Sequence, residues 1–426
     1  MEIKRDNYLK RLIEHMGNGM IKVLTGLRRA GKSYLLNNIF KKYLIENITD
    51  QSHVIYLALD SKENEKYSDS NVLYEFLNSK IKNDKQKYFI LLDEIQFVND
   101  FVPVLNGLAY KNNVEIYVTG SNSNMLSSDI STEFRGRGDV IHLFPLTYKE
   151  YFEAVGGDRD DVLNDYMIYG GLPYILNCKT EEDKAEYLKR LYDETYLVDI
   201  KERNQIKNEQ LLNDIMDVLS SQAGSLINPN RLVNIINDKY KKETKNFSDI
   251  KVNKITVDNY LKYIEDAFLI NKTKRYDIKS NNYINSPYKY YFEDIGLRNA
   301  RINFRQLDDG YIMENIIYNE LLARRLNVDI GIVDTYGSDS NGTTVRKSYE
   351  VDFVVNKGAK RYYIQSSFHL NDEKKTLQEK KSLKNIDDSF KKIIIVRDNI
   401  NVRIDNDGII TMGLFYFLLN ENSLDV

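Results

Sequence analysis

Hydrophobic positions in the first 145 residues fall in short runs separated by amphipathic stretches. Residues 21–25 (IKVLT), 53–59 (HVIYLAL), 88–92 (YFILL), 114–119 (VEIYVT) and 140–143 (VIHL) are apolar on both faces and read as strands. Residues 33–47, 70–82 and 100–111 carry helical spacing, and a leading helix presents Tyr8, Leu9, Leu12, Ile13 and Met16 on one face. Two-faced apolar strands alternating with helices predict a parallel α/β sheet. The pattern then changes three times. Residues 148–205 read as helical, interrupted at Gly170-Gly171-Leu172-Pro173, a turn that glycine and proline punctuate. Residues 206–277 read as short helices and a hairpin. A helix over 256–264 starts at the cap Thr256, and FLINKTKRY (268–276) is the first strand of a wing. Beyond 281 come a strand at 288–292, helices to about 326, and a hairpin of 349–355 with 361–367. A helix over 374–384, a strand at 391–396 and an apolar segment over 409–419 close the pattern. The expected divisions are 1–147, 148–205, 206–280 and 281–426.

Composition narrows the chemistry. Sixty Lys+Arg against 63 Asp+Glu leave a net charge of −3, so any contact with DNA has to come from a local patch. The single cysteine, Cys178, excludes an intramolecular disulfide, and no pair among His15, His53, His142 and His369 has zinc-ligand spacing. No run of about 18 apolar residues appears and the charged start offers no secretory core, which predicts a cytoplasmic protein without a membrane segment.

The strongest local signal is Gly26-Leu27-Arg28-Arg29-Ala30-Gly31-Lys32-Ser33, a GxxxxGK[ST] loop between a strand ending at Thr25 and a helix opening at Lys32. Its glycines let backbone N–H groups turn inward around phosphates, and the helix N-terminus adds its dipole. Lys32 would reach the β- and γ-phosphates and Ser33 would hold Mg²⁺, with Tyr34 next in the binding segment. The acidic tip Asp93-Glu94 follows an apolar strand. There Asp93 would hold Mg²⁺ through water and Glu94 would orient and polarise the attacking water, which argues for hydrolysis.

Two further pieces point to the same phosphates. Thr119-Gly120-Ser121-Asn122 closes the next strand, where Ser121 and Asn122 are equal candidates to sense the γ-phosphate. Phe134-Arg135-Gly136-Arg137-Gly138 offers two arginines. Arg137 is the expected finger, acting in cis or into a neighbouring copy of a homo-oligomer, with Arg135 as its competitor.

In chain order, GLRRAGKS, FILLDEIQ, VTGSNS, FRGRG, FPLTYKEYF, YGGLPYIL, LVDIKERN, KYYFEDIGLRNA and YEVDFVV make a combination more specific than any one motif. It resembles a prokaryotic family of AAA+-type ATPases with a C-terminal nuclease-like domain of unknown function. The resemblance implies ATP as the nucleotide, a AAA+ core, a helical lid with a winged helix, and a C-terminal domain similar to the PD-(D/E)XK fold.

A site of that nuclease type needs an acidic residue on one strand and (Glu/Asp)-x-Lys on the next. Asp352 stands on the first strand, with Glu314 or its competitor Glu320 as a third carboxylate. Gln365 and Ser367 stand where the Glu and the Lys belong. A neutral amide and a serine both work against cleavage, so the domain is expected to bind or dock a protein partner. The wing offers Lys251, Lys254, Lys262, Lys272, Lys274 and Arg275 as DNA contacts. The bland alternative is a solvated basic face or a protein-contact module.

Overall fold

A computed structural model describes residues 3–82, 86–120, 136–222, 224–243, 251–305, 308–338, 344–368 and 373–426. The chain folds into two compact units. The first holds residues 1–145, Leu172–Tyr174 and Asp266–Phe268, and the second holds the rest.

The first unit is a five-stranded sheet of β1 (Ile21–Thr25), β2 (Val54–Ala58), β3 (Tyr88–Asp93), β4 (Val114–Thr119) and β5 (Gly138–His142). Their order is β2-β3-β4-β1-β5 and every pairing is parallel. Alternation along each strand sends side chains to two cores. Val23, Ile90, Leu92 and Val118 face Leu73, Leu77, Leu105 and Leu108 of the helices Ser70–Lys80 and Phe101–Ala109. Leu24, Phe89, Leu91 and Tyr117 face Tyr8 and Leu12 of the helix Asp6–Glu14, together with Leu35, Leu36, Phe40 and Leu44. Those last four lie on one continuous helical stretch, Lys32–Tyr34, Leu35–Phe40 and Lys41–Asn47, whose middle segment is π-helical.

The second unit carries helices from Tyr148–Val155 onward and an eight-stranded mixed sheet. Its strands are β6 (Ile270–Asp277), β7 (Asn282–Phe292), β8 (Asn327–Ser338), β9 (Thr344–Lys357), β10 (Lys360–Ser367), β11 (Lys391–Val396), β12 (Arg403–Ile404) and β13 (Ile409–Gly413). They run in the order β12-β13-β11-β10-β9-β8-β6-β7. The stretch expected as a wing strand is β6, which pairs antiparallel with β7 and parallel with β8. The position expected to divide domains, 280/281, is therefore the tip of a hairpin whose two strands share one sheet.

Two sequence-distant turns lock together inside this unit. Asp294 caps the helix Ile295–Arg301, accepting from Leu297 N at 3.1 Å and from Gly171 N at 2.8 Å. Asn299 Nδ2 caps the end of the helix Arg159–Tyr169 by donating to Met167 O and Ile168 O. Gly170, at φ +75°, has to be glycine, because a Cβ there would stand 2.3 Å from Asp294 Oδ1. Burial pushes the Asp294 carboxyl up to about 6, against the backbone N–H groups of Gly171, Leu297 and Gly296 that pull it down.

Candidate functional site

All five strands of the first unit end at one edge, where a parallel sheet places its ligands. The loop after β1 is built for close approach. Gly26 sits at φ +136°, and a Cβ on it would stand 2.2 Å from Leu143 O, so only glycine lets β1 pass into the turn. Ala30 N donates to Leu27 O at 3.1 Å to close the turn, and Gly31, at φ +99°, opens the helix at Lys32. Lys32 is buried at 4% exposure, with Nζ donating to Gly26 O at 2.9 Å and Leu27 O at 3.0 Å. The ammonium is folded into its own loop on neutral carbonyls. Leu27 and Ala30 are buried, Arg28 is half-buried, and Arg29, Ser33 and Tyr34 face solvent.

Asp93 ends β3, two strand spacings and so about 10 Å from the end of β1. Its carboxylate is 3% exposed and accepts from the hydroxyls of Thr119 and, at 3.2 Å, Tyr56. Thr119 Oγ1 also accepts from Glu94 N at 2.8 Å, so one hydroxyl ties both acidic residues to β4. Burial and the neighbouring Asp93 push the Tyr56 phenol up, which keeps it a neutral donor. Glu94 is half-buried with left-handed backbone at φ +55°, and its carboxylate accepts from the Gln96 amide.

Three contributors have roles here that the sequence does not show. Tyr56 reads there as a core aromatic, and Thr119 as the first residue of the small polar segment closing a strand. Pro173 reads as turn punctuation, yet its Cγ stands 3.7 Å from where a Gly31 Cβ would be, within the first unit.

Ser121, Asn122 and Arg135 lie outside the described residues. Arg137 needs a correction as a finger acting in cis. It precedes β5, and β5 runs parallel to β1 with Gly138 opposite Ile21 and His142 opposite Thr25. Arg137 therefore stands at the opposite sheet edge from the phosphate loop, five strand residues or about 16 Å away. Its guanidinium lies 4.8 Å from the Tyr110 ring centre.

In the second unit, half-buried Glu314 of the helix Asp309–Ala323 lies in the field of buried Asp352 of β9, Gln365 of β10 approaches Asp352, and Ser367 of β10 is buried. Glu320 belongs elsewhere: it pairs with Arg324 at 2.7 Å. Asp352 accepts from Ser366 N at 2.7 Å, and burial followed by the Glu314 charge raises its carboxyl well above the usual range. Of the basic residues expected in the wing, Lys251, Lys254, Lys262, Lys272 and Lys274 are exposed and Arg275 is half-buried. Lys272 Nζ sits 4.0 Å from the Tyr288 ring centre.

Residues 18–152 match the AAA domain family, and residues 160–308 match a domain of unknown function, DUF8612. The chain is 32% identical over 398 residues to an uncharacterized protein of Haemophilus influenzae, covering 92% of this chain and 93% of that one. The two belong to one AAA-domain family. A second similar protein, also uncharacterized, from Methanocaldococcus jannaschii, is 29% identical over 403 residues, or 90% of this AAA-domain chain and 81% of its own. Among solved structures, the Saccharomyces cerevisiae Hsp104–ADP complex aligns over 76% of this chain and 42% of that one, at 13% identity and a TM-score of 0.31. The Drosophila ORC structure with AT-rich DNA and Cdc6 aligns over 70% of this chain and 91% of that one, at 9% identity and a TM-score of 0.25. Likenesses that slight carry no functional reading. The match beyond residue 160 is to a domain without an assigned role, so it identifies neither a winged helix nor a nuclease. Among the described residues, no helix is long and apolar enough to cross a membrane.

Proposed function

We propose that this protein binds ATP with Mg²⁺ at the carboxyl edge of its parallel sheet and hydrolyses it. One arrangement carries the reading: the Gly26 cradle with Lys32 folded into it, at the same edge as a buried Asp93 held by two hydroxyls. The AAA-domain match supports it. Backbone N–H groups from Leu27 to Ser33 would line the phosphates, and Lys32 would exchange a carbonyl for a phosphate oxygen. The Ser33 hydroxyl and Asp93 would hold the Mg²⁺, which when bound neutralises charge on the phosphate oxygens. Glu94 would orient the attacking water and accept its proton. Ser121 and Asn122 remain the proposed γ-phosphate sensors, and Arg137 would act only on the site of a neighbouring copy.

The helices Glu209–Ser221, Pro229–Glu243 and Lys254–Asp266 followed by the β6–β7 hairpin have the order of a winged helix. Ile227 and Tyr288, which exchange backbone hydrogen bonds of 2.8 and 3.0 Å, support this by supplying the short third strand. We read this module as the DNA contact, through its exposed lysines, and the remainder as a nuclease-like fold that does not cleave. The Lys272–Tyr288 contact favours a second reading, a nucleotide-switched scaffold whose basic hairpin serves its own packing. ATP turnover with and without single- and double-stranded DNA at two salt concentrations separates them. The first reading expects stimulation that falls steeply with salt; the second expects slow turnover that DNA leaves unchanged. Turnover that survives in Lys32→Ala sinks both.

A further inference from the structure

The nuclease-like reading of the second unit implies a divalent metal between Glu314, Asp352 and the residues at 365 and 367, and the structure allows a test of that fit. The donor set is poor: two carboxylates, one amide and one hydroxyl. The Gln365 oxygen is already approached by Asp352 N and Ser382 Oγ, each at 3.4 Å. Among the described residues, no group of three or more Asp, Glu, His or Cys is arranged to hold a metal ion.

What the cluster does contain is Lys289. This side chain on β7 is 4% exposed, and its Nζ lies 2.8 Å from Glu314 Oε1 and 2.7 Å from Glu350 Oε1. Tyr291 OH, two residues on, donates to the same Glu314 oxygen at 2.6 Å. Glu350 and Asp352 are two apart on β9 and so share a face. Two carboxylates, one from the helix and one from the central strand β9, therefore bond an ammonium carried by the edge strand β7, and Asp352 of the same central strand lies in its field. Burial pulls the Lys289 pKa down, and Glu314, Asp352 and Glu350 more than reverse this, leaving it above the ordinary lysine range.

We propose that Lys289 is the resident cation of this cluster, standing where the nuclease fold would carry a divalent metal, and that the C-terminal domain consequently takes no metal and performs no metal-dependent cleavage. A permanently attached ammonium on a stem fixed to β7 is present at a local concentration no free ion matches. A metal could enter only by stripping that ammonium of two carboxylates and leaving it buried without them, which is strongly unfavourable. The cluster is thus a knot joining β7, β9 and the Asp309–Ala323 helix.

The test is a titration of the nucleotide-free full chain with Mn²⁺, read by the loss of the free-ion paramagnetic resonance signal, alongside thermal melts of Lys289→Met and Lys289→Arg. The wild type is expected to remove no equivalent of Mn²⁺ at tens of micromolar. Lys289→Met is expected to lower the melting temperature by on the order of 5–10 °C, and Lys289→Arg to recover most of that loss. Uptake of one equivalent by the wild type that Asp352→Asn abolishes would overturn the proposal, as would a Lys289→Met protein melting like the wild type. The titration needs no variant to fold in order to support the idea.

Discussion

The two units each place a buried lysine near a buried aspartate, and they do it in opposite ways. At the first site Lys32 rests on the neutral carbonyls of Gly26 and Leu27, and Asp93 is held by the neutral hydroxyls of Tyr56 and Thr119. Carbonyls and hydroxyls are groups that a phosphate oxygen and a metal ion could displace, as the proposed function requires. At the second, Lys289 is bound directly to Glu314 and Glu350 and lies in the field of Asp352. The charges there are already spent on each other. A site stays open when exchangeable neutral groups hold its charges, and closes when its charges are mutual partners.

The sharpest way to break this contrast is Lys32→Ala. Removing two charge-assisted phosphate contacts is expected to weaken ATP binding on the order of a thousandfold by calorimetry; full affinity would mean the loop does not grip phosphate. Glu94→Gln should keep ATP bound while turnover falls by about a thousandfold, within the range for a lost general base. Wild-type rates in that variant would assign the water to another residue. Asp294 is an intermediate case, a buried carboxylate held by backbone N–H groups alone. Because its folded pKa is raised, to about 6, its protonated form favours the folded state. That contribution is fully present below about pH 4 and is lost as pH rises through 6, a fall of about 3 kcal/mol. Asp294→Asn should flatten this part of the stability–pH profile, and an unchanged slope would locate the titration elsewhere. Thr119→Val removes the hydroxyl shared by Asp93 and Glu94, with an expected cost of about 1–3 kcal/mol in stability and about tenfold in turnover. Turnover like the wild type's would mean that Tyr56 suffices to hold Asp93. Arg137→Ala should leave a dilute protein's turnover unchanged and flatten only a rise of activity with concentration. A loss at high dilution would restore a role in cis.

Much of the first site is legible in sequence because its information is local. Eight consecutive residues specify the loop, and an apolar run ending in two acids specifies the strand tip. Even the fate of Arg137 follows from the parallel reading, since a residue that precedes a strand belongs at the edge opposite the ligands. The partners that decide the character of each site are not local. Tyr56 meets Asp93 across 37 residues, Asp294 meets Gly171 across 123, and Lys289 meets Glu314 across 25. In sequence Tyr56 reads as an ordinary core tyrosine, and nothing local to Asp294 or Lys289 announces these partners. The hairpin at 270–292 carries local signals for its strands and its turn, but nothing in it says which sheet it will join.

The backbone leaves the first unit after Pro145, returns for Leu172–Tyr174, and returns again for Asp266–Phe268. Those brief visits supply the proline flanking Gly31 and Phe268, whose ring lies 4.8 Å from that of His142. A recombinant fragment stopping at residue 145 would lack both stitches, so the first unit is an object of three-dimensional space that no single stretch of gene encodes.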